Sequence, residues 1–167
     1  MPLPIAHGFV GATLVAAVHR KADFQNWKPL AFGFFLANAP DLDVIFSHAI
    51  GIAGAHRSWS HSLVFSFGVG SLFLLILGSE RWRAALAYGL AYLSHGLLDF
   101  TNTQIGGGVR LLLPFSSDYY KLNLISFSEF PFGFTAQNVA KWLLFEMVIF
   151  IPLFLIVLLL KRRIGSR

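Results

Sequence analysis

The feature that most constrains this chain is the length of its uncharged apolar stretches. Residues Ser62 to Ser79 contain no charged side chain, and Trp142 to Leu160 contain only Glu146. A helix rises 1.5 Å per residue, so about 20 residues cross the ~30 Å hydrocarbon core of a bilayer. Charged residues make up 13% of the 167 residues, about half the roughly 25% of a soluble domain, which is too few to cover a water-exposed surface. We therefore predict that both stretches are transmembrane helices.

Other apolar segments are shorter or carry one or two ionisable residues; these are Leu3 to Val18, Pro29 to Ala39 and Ala84 to Phe100. The middle one is short for a membrane helix, so it either draws on Phe24 to Trp27 to lengthen it or lies partly in the membrane interface. The predicted fold class is all-α, a polytopic membrane helical bundle with four to five transmembrane helices. We expect residues 1–167 to form a single integral membrane domain.

The distribution of Lys and Arg predicts how these helices are oriented. If five segments alternate across the membrane, one side receives nine of the thirteen basic residues in short connections: Arg20, Lys21, Lys28, Arg81, Arg83, Lys161, Arg162, Arg163 and Arg167. Cytoplasmic loops are enriched in Lys and Arg, so we expect the N-terminus outside and the C-terminus in the cytoplasm. This topology explains the pI of about 9.9 without nucleic acid as a partner.

The ionisable residues expected in or beside these helices gather on the outer side; they are His7, Asp41, Asp43, His56, His61, His95 and Asp99. Ionisable groups at membrane depth are costly and are kept where they pair, bind an ion or line a wet cavity. His95 and Asp99 are four residues apart on a predicted helix, so their Cβ atoms lie on one face about 6 Å apart and could hold one ion together. We therefore predict that these seven residues are the ligands of a shared metal site.

Local spacing limits how these ligands can converge. The two aspartates after Pro40 lie in a turn or in an extended stretch, where residues i and i+2 point the same way. His56 and His61 converge only if the first lies in a loop and the second in the first turn of the next helix, capped by Ser58 or Ser60. Imidazole and carboxylate ligands in a chain without cysteine suit Zn²⁺ or Mn²⁺, and seven exceed what one tetrahedral ion needs. The predicted cofactor is a pair of divalent ions, with zinc the expected metal and manganese the alternative.

Each of these residues also has a simpler interpretation. A single histidine near a helix end, such as His7, is more often an interfacial or hydrogen-bonded residue than a ligand. His95 and Asp99 are equally consistent with a buried hydrogen-bonded pair. His48 lies on the same side but has no partner at ligand spacing, so we interpret it as a loop histidine. Glu146 is open to three interpretations: a further ligand, a base, or a hydrogen-bonded glutamic acid kept neutral, and we slightly favour the last.

Several motifs in this order resemble one known family: Ala6-His7-Gly8, Pro40-Asp41-Leu42-Asp43, His56-Arg57-Ser58-Trp59-Ser60-His61-Ser62-Leu63, Ser94-His95-Gly96-Leu97-Leu98-Asp99 and Leu113-Pro114-Phe115-Ser116. The set resembles the YdjM family of inner-membrane proteins, which are described as metal-dependent hydrolases and sometimes associated with LexA. That family is distantly similar to zinc-dependent phospholipase C and P1-type nucleases, whose sites include a His-x-x-x-Asp element that His95 and Asp99 match. Those enzymes also use an N-terminal Trp amine and a His-x-x-x-Glu pair, which are not found here, so a three-zinc cluster is not expected. The resemblance implies a multi-pass hydrolase of the bacterial inner membrane.

The residues and the resemblance together predict a membrane-bound metal-dependent hydrolase. Its expected substrate is a phosphate ester or anhydride of a membrane lipid, cleaved at the outer, periplasmic face. Arg57 would orient the phosphoryl group, since a planar guanidinium suits bidentate contact with phosphate, although a snorkelling residue or an ion pair with Asp41 or Asp43 is the simpler alternative. Asp43 or Asp41 would accept a proton from the attacking water, which a metal ion makes more acidic.

Two other classes of function stay open. A metal-ion or proton transporter would hold its site near the membrane midplane, within broken helices and repeated halves. A non-catalytic membrane adaptor of a LexA-like regulator would bind it through a cytoplasmic surface. The predicted ligands gather at one mouth of the bundle, no repeat is visible and the inner loops are short, so we favour the hydrolase. The substrate and the oligomeric state are not predicted.

Overall fold

A computed structural model describes residues 4–51, 56–101, 108–122 and 135–165, and the regular structure in these ranges is entirely helical. In chain order the α-helices are α1 (Pro4–Val18), α2 (Lys28–Asn38), α3 (Asp43–Ile50), α4 (Leu63–Leu77), α5 (Trp82–Thr101) and α6 (Ala136–Gly165). Short 3₁₀ helices span Ala39–Leu42, Trp59–His61 and Ser79–Arg81. The predicted all-α class is confirmed. Outside the helices, Val109 and Tyr120 form an isolated antiparallel bridge.

The short second segment differs from its prediction. Phe24 to Trp27 do not lengthen it, because they lie in a bend, and α2 begins at Lys28 with Pro29 in its first turn, where proline is well tolerated. The chain instead continues at the other end, through the 3₁₀ helix at Pro40 into α3, which the sequence analysis did not predict. Of the two conformations expected after Pro40, the structure has a tight helical turn and not the extended stretch.

The centre of the bundle is α1, which packs against α2, α5 and α6, while α4 packs against α5. Small side chains let these helices approach closely. A Cβ atom added to Gly89 of α5 would lie 2.9 Å from the Cα of Gly70 in α4, so a larger residue there would push the two helices apart. Close contacts through small residues are typical of helix packing in membranes, where lipid competes for apolar surface.

Two ionisable residues of α6, Glu146 and Lys161, form hydrogen bonds with backbone groups at the two ends of α1. The Ala6 N–H, in the first turn of α1, donates to Glu146 Oε2 at 3.0 Å. Near the last turn, Lys161 Nζ donates to the carbonyl oxygens of Ala16 at 2.8 Å and Ala22 at 2.9 Å, and also to that of His19. An acidic group at a helix N-terminus and a basic group at its C-terminus both interact favourably with the helix dipole. Because Glu146 meets the start of α1 and Lys161 its end, the two helices run in the same direction.

The exposure of side chains is the reverse of a water-soluble fold. Large apolar residues on α4 and α6 face outward, with Leu75 81% and Val148 67% exposed, whereas His7 and His95 are completely buried. By length and composition, one helix in the described ranges can cross a membrane alone, Gln137–Ile164 within α6. The α4 and α5 segments pass the same test only as a pair, bent by 119°. One span is therefore clear, and the four to five spans and their orientation stay predictions.

Candidate metal centre

Ionisable side chains from four helices meet at one end of the bundle. His7 lies in the first turns of α1, Asp41 follows α2, His61 precedes α4, and His95 and Asp99 lie in the last two turns of α5. The N-terminal ends of α1 and α4 and the C-terminal ends of α2 and α5 therefore share this end. Side chains that are far apart along the chain are thus brought together, as the proposed alternation of the helices requires.

Four of these residues form a tight group, which we call the inner cluster: Asp41, His61, His95 and Asp99. One ligand atom from each lies within 4.8 Å of the others. The Nε2 atom of His95 lies 3.1 Å from Nε2 of His61 and 3.2 Å from Oδ1 of Asp41. Asp99 Oδ2 lies 3.8 Å from His61 Nε2 and 3.9 Å from His95 Nε2. Ligands at 2.0–2.2 Å around a tetrahedral ion stand roughly 3.3–3.6 Å apart, so these spacings fit one small cation.

The hydrogen bonds of the two inner histidines turn lone pairs toward the centre of the cluster. His95 Nδ1 lies 2.7 Å from the carbonyl oxygen of Ala37, which can only accept, so Nδ1 carries the proton and Nε2 of the neutral ring does not. Ser60 donates its hydroxyl proton to Asp43 Oδ2 at 2.6 Å and therefore accepts from His61 Nδ1 at 2.9 Å. In the neutral rings, both Nε2 lone pairs then face each other, an arrangement that calls for a cation.

The carboxylates add negative charge to the same space. Oδ1 of Asp41 and both carboxylate oxygens of Asp99 are buried without a hydrogen-bond partner among the described residues. Burial alone would raise the pKa of Asp41, but His61 and His95 outweigh it and hold this pKa well below its usual range. Burial lowers the pKa of His61, but the nearby carboxylates of Asp41, Asp43 and Asp99 outweigh it and raise this pKa to about 9. The inner cluster therefore attracts positive charge, and a divalent ion would compete with one proton for it.

A second group, which we call the outer group, contains Asp43, His56 and His61. The Asp43 oxygens and His56 Nδ1 already have partners. Asp43 Oδ1 lies 2.7 Å from His56 Nδ1, and Asp43 Oδ2 accepts from Ser60 and, at 3.3 Å, from the backbone N–H of Arg57. The side chains of His56 and Asp43 are 31% and 14% exposed, so this group faces the outside of the site. A second ion here would have to displace these hydrogen bonds, and the number of ions stays a prediction.

The segment between His56 and α4 differs in detail from the prediction. His61 lies in the 3₁₀ helix before α4 and not in its first turn, and Ser62 is the N-cap, its Oγ accepting from Phe65 N–H at 3.1 Å. Neither Ser58 nor Ser60 caps the helix, and Ser60 instead joins Asp43 to His61. From the sequence, Ser60 was considered only as a helix cap. No local pattern links it to Asp43, which lies 17 residues earlier in the chain.

His7 and Arg57 both approach Asp99 from the wall of the cluster. His7 Nε2 lies 3.5 Å from Asp99 Oδ1, and its ring stacks on His95 with centroids 3.9 Å apart. Arg57 Nε lies 3.6 Å from Asp99 Oδ2, and the Arg57 side chain is buried. An ion pair of Arg57 with Asp41 or Asp43 was one of the simpler alternatives, and the structure pairs its side chain with Asp99 instead. The Arg57 backbone has a positive φ of 62°. His7 belongs to neither four-residue nor three-residue group, although it contacts the inner cluster.

Other sequence-predicted residues lie elsewhere. Glu146 is buried and accepts a hydrogen bond from the start of α1, which agrees with the hydrogen-bonded interpretation, and it is not part of either group. The side chain of His48 lies outside the described part of the structure. Gly96 was quoted only as part of a motif, yet it is essential to the geometry. A Cβ atom on Gly96 would lie 2.6 Å from the carbonyl oxygen of His61, so glycine lets α5 approach the His61 backbone.

The sequence of this chain matches one known protein family over most of its length. The family model described as "YdjM inner membrane protein" matches residues 1–164, which is nearly the whole chain. The chain belongs to the YdjM family. This confirms the family that the motifs around His7, Asp41, His61 and His95 indicated, and it identifies an inner membrane protein. The membrane environment explains why apolar side chains face outward while the histidines are buried.

A curated relative supports the same assignment. The chain is 39% identical over 97 residues to the inner membrane protein YbcI of Escherichia coli (strain K12), which covers 53% of this chain and 54% of that protein. The chain thus spans about half the length of the curated relative it matches. No solved structure matches this chain. The expected relation to metal-dependent hydrolases, phospholipase C and P1 nuclease stays a prediction from the motifs.

Proposed function

We propose that this YdjM-family protein is a metal-dependent hydrolase of the inner membrane that cleaves a phosphate ester or anhydride of a lipid. The observation that carries the proposal is the inner cluster. Four ligand atoms converge there, and the Nε2 atoms of His61 and His95, 3.1 Å apart, need either one proton or a metal ion between them. Two carboxylate charges match the charge of one divalent ion, and nitrogen and oxygen ligands without thiolate suit zinc or manganese. In this proposal, the inner cluster is the primary site and binds one ion. The measured number of metal ions per chain decides whether a second ion binds in the outer group.

The residues around the cluster have distinct roles in this proposal. Asp41, His61, His95 and Asp99 would hold the ion, which when bound would supply Lewis-acid polarisation of the phosphoryl group and make water more acidic. Burial raises the pKa of Asp43, but its hydrogen bonds with His56, His61 and Ser60 lower it well below its usual range, which makes the carboxylate a poor proton acceptor. Asp43 would therefore orient His56, and His56, which reaches solvent, would accept the proton.

Arg57 and the membrane set the substrate class. The guanidinium of Arg57 is held beside Asp99, so its positive charge stays at the wall of the site where a phosphoryl group would bind. The parallel arrangement of α1 and α6 requires an odd number of crossings between them. Five spans satisfy this and four do not, so the two termini would lie on opposite sides of the membrane. The distribution of Lys and Arg then favours an N-terminus outside, a C-terminus inside and a site facing the periplasm. A lipid substrate would then reach the site from the outer leaflet.

Metal content and cleavage test this proposal together. Full-length protein is purified in a neutral detergent, its zinc and manganese are counted, and phosphate release from phosphatidic acid and polyprenyl diphosphate is measured. The variants are His95→Ala and Asp41→Ala, and His19→Ala is the matched control at the other end of the bundle. We expect the site variants to lose the ion and the activity, and the control to keep both. Chelation should abolish cleavage and added zinc should restore it.

Two results would overturn the proposal in different ways. Full metal content in both site variants would remove the inner cluster as the metal site. Loss of metal without loss of cleavage, or a metal-loaded protein that cleaves no phosphate ester, would instead indicate a structural ion or a transport function.

A further inference from the structure

A basic cavity lies at the end of the bundle opposite the inner cluster. It has a volume of about 550 Å³ and lies between the α1–α2 connection and the corner that joins α4 to α5. Four basic side chains line it, with one acidic side chain: Arg20, Lys21, Arg81, Arg83 and Glu80. Basic residues near a membrane interface are ordinary by themselves, but here two separate connections bring them around one concave space.

The helix α5 begins beside this cavity. It starts at Trp82 and has 20 residues, and Trp82 to Ala84 line the cavity. The Trp82 N–H already donates to the carbonyl oxygen of Ser79 in the preceding 3₁₀ helix, so the positive charge of the cavity comes from its basic side chains. The guanidinium of Arg83 lies over the Trp82 ring, 5.3 Å from its centroid, which holds that charge near the membrane surface.

An apolar groove runs along α4 and α5 from Trp82, the residue that also lines the basic cavity. It has a volume of about 440 Å³, and its lining includes Leu74, Leu86 and Leu93 with Gly70 and Gly89. Trp82 lines both spaces, so the groove and the cavity meet at this side chain. From Trp82 to Leu93 the helix rises roughly 16 Å, which is long enough for most of an acyl chain. Other apolar side chains of α4, including Leu75 and Ile76, are exposed on the surface of the bundle.

We propose that this composite site binds one anionic phospholipid, with its phosphate headgroup in the basic cavity and one acyl chain in the apolar groove. Charge complementarity selects the headgroup, and the continuity of the two spaces at Trp82 selects a ligand that is anionic at one end and apolar along its length. The site lies at the other end of α4 and α5 from the inner cluster. The bound lipid is therefore distinct from a substrate of the proposed hydrolase, and the proposal does not depend on that function.

Lipid binding to the full-length protein in neutral detergent tests the proposal. Affinities for phosphatidylglycerol and for phosphatidylcholine with the same acyl chains are measured by native mass spectrometry. The headgroup variant is Arg20→Gln with Arg81→Gln, and its charge-matched control is Lys28→Gln with Arg162→Gln, which do not line the cavity. The groove variant is Ser71→Phe, because Ser71 lines the groove. Its control is Leu75→Phe, on the outer surface of the same helix.

We expect the wild-type protein to bind phosphatidylglycerol at least about tenfold more tightly than phosphatidylcholine, and the headgroup variant to lose this preference. The groove variant should weaken binding of both lipids several-fold, while both controls behave as wild type. Equal affinity of the wild type for the two lipids would overturn the proposal, as would equal losses in a variant and its control. Glycerol phosphate that competes as well as the whole lipid would exclude the groove.

A labelling experiment on the wild-type protein avoids dependence on the folding of the variants. Phosphatidylglycerol with a photoreactive group in one acyl chain is crosslinked to the protein, and the labelled peptides are identified. Labels on Ser66 to Leu74 and on Leu86 to Leu93 support the groove. Labels confined to α6 would place the acyl chain on the general lipid surface and would overturn the assignment.

Discussion

Replacing Gly96 with alanine tests whether the inner cluster depends on the close approach of α5 to the His61 backbone. The added Cβ would lie 2.6 Å from the His61 carbonyl oxygen and 3.4 Å from its carbonyl carbon. An ordinary contact begins about 0.4–0.8 Å farther away, and both partners of this contact are backbone, so α5 and the 3₁₀ helix at His61 must separate by about that distance. His95 is one residue before Gly96, so the separation of the two Nε2 atoms changes directly.

The expected magnitude follows from the tolerance of a metal site. Ligand distances in protein metal sites stay within about 0.2 Å of their ideal values, so the shift exceeds what the coordination sphere accepts without rearrangement. Disturbing the positioning of metal ligands lowers affinity by about 10- to 100-fold, and we expect Gly96→Ala to fall in this range. Alanine is also a better helix former than glycine by about 0.5–1 kcal/mol, so the variant should not unfold for lack of helix stability.

Zinc affinity is measured by competition with a chromogenic chelator, using purified wild-type and variant protein in detergent. The matched control is Gly68→Ala in α4, because a Cβ at Gly68 would meet no atom within 4 Å. We expect wild-type affinity for the control and a 10- to 100-fold loss for Gly96→Ala. Equal zinc affinities for the two variants would refute the argument that the Gly96 contact positions His61 for metal binding.

Three further predictions follow from particular contacts. Ser60→Ala removes the link between Asp43 and His61 and should weaken zinc binding by about tenfold, whereas Ser60→Thr should restore it; unchanged affinity in the alanine variant would contradict a positioning role. Lys161→Met should lower the free energy of unfolding by about 1–3 kcal/mol without changing zinc affinity, because three carbonyl groups at and just after the end of α1 lose their donor. Arg162→Met is the control, and an equal loss of stability in that variant would contradict this role of Lys161. Because the pKa of His61 is raised to about 9 in the folded, metal-free protein, its stabilisation is complete below about pH 6.5 and is lost as the pH rises through 9. Thermal unfolding of the chelated protein should therefore occur at lower temperature at about pH 10 than at about pH 6, and a His61→Gln variant should show less of this change.

Much of the fold could be predicted because its signals are local. Apolar length located α1, α4 and α5 to within about two residues, since a membrane helix is specified by a run of apolar residues in one segment. It located the centre of α6, which begins six residues before Trp142 and ends five residues after Leu160. The second segment was less certain for the same reason, because 11 residues of α2 are too few for such a run. The 3₁₀ helix that continues it at Pro40 packs against α5, a contact that no local pattern indicates.

The candidate site was only partly predictable. Alternation of the helices was enough to expect that His7, Asp41, His61 and Asp99 share one end of the bundle. The separation into an inner cluster and an outer group was not predictable, because it depends on which atoms of His61 face each aspartate. The tautomer of His95 depends on the Ala37 carbonyl, a backbone group that no sequence pattern distinguishes.

By itself, the amino-acid sequence determined that this protein is helical, that it is built for an apolar solvent and that it belongs to the YdjM family. These properties depend on composition, on the length of apolar runs and on ordered short motifs, and all three can be read from the sequence without knowing how the helices pack. Only the tertiary structure decided that Glu146 holds the start of α1, that Arg57 faces Asp99 and that Trp82 joins a basic cavity to an apolar groove. Such contacts depend on the placement, to within tenths of an ångström, of segments up to 140 residues apart, and no local pattern encodes that distance.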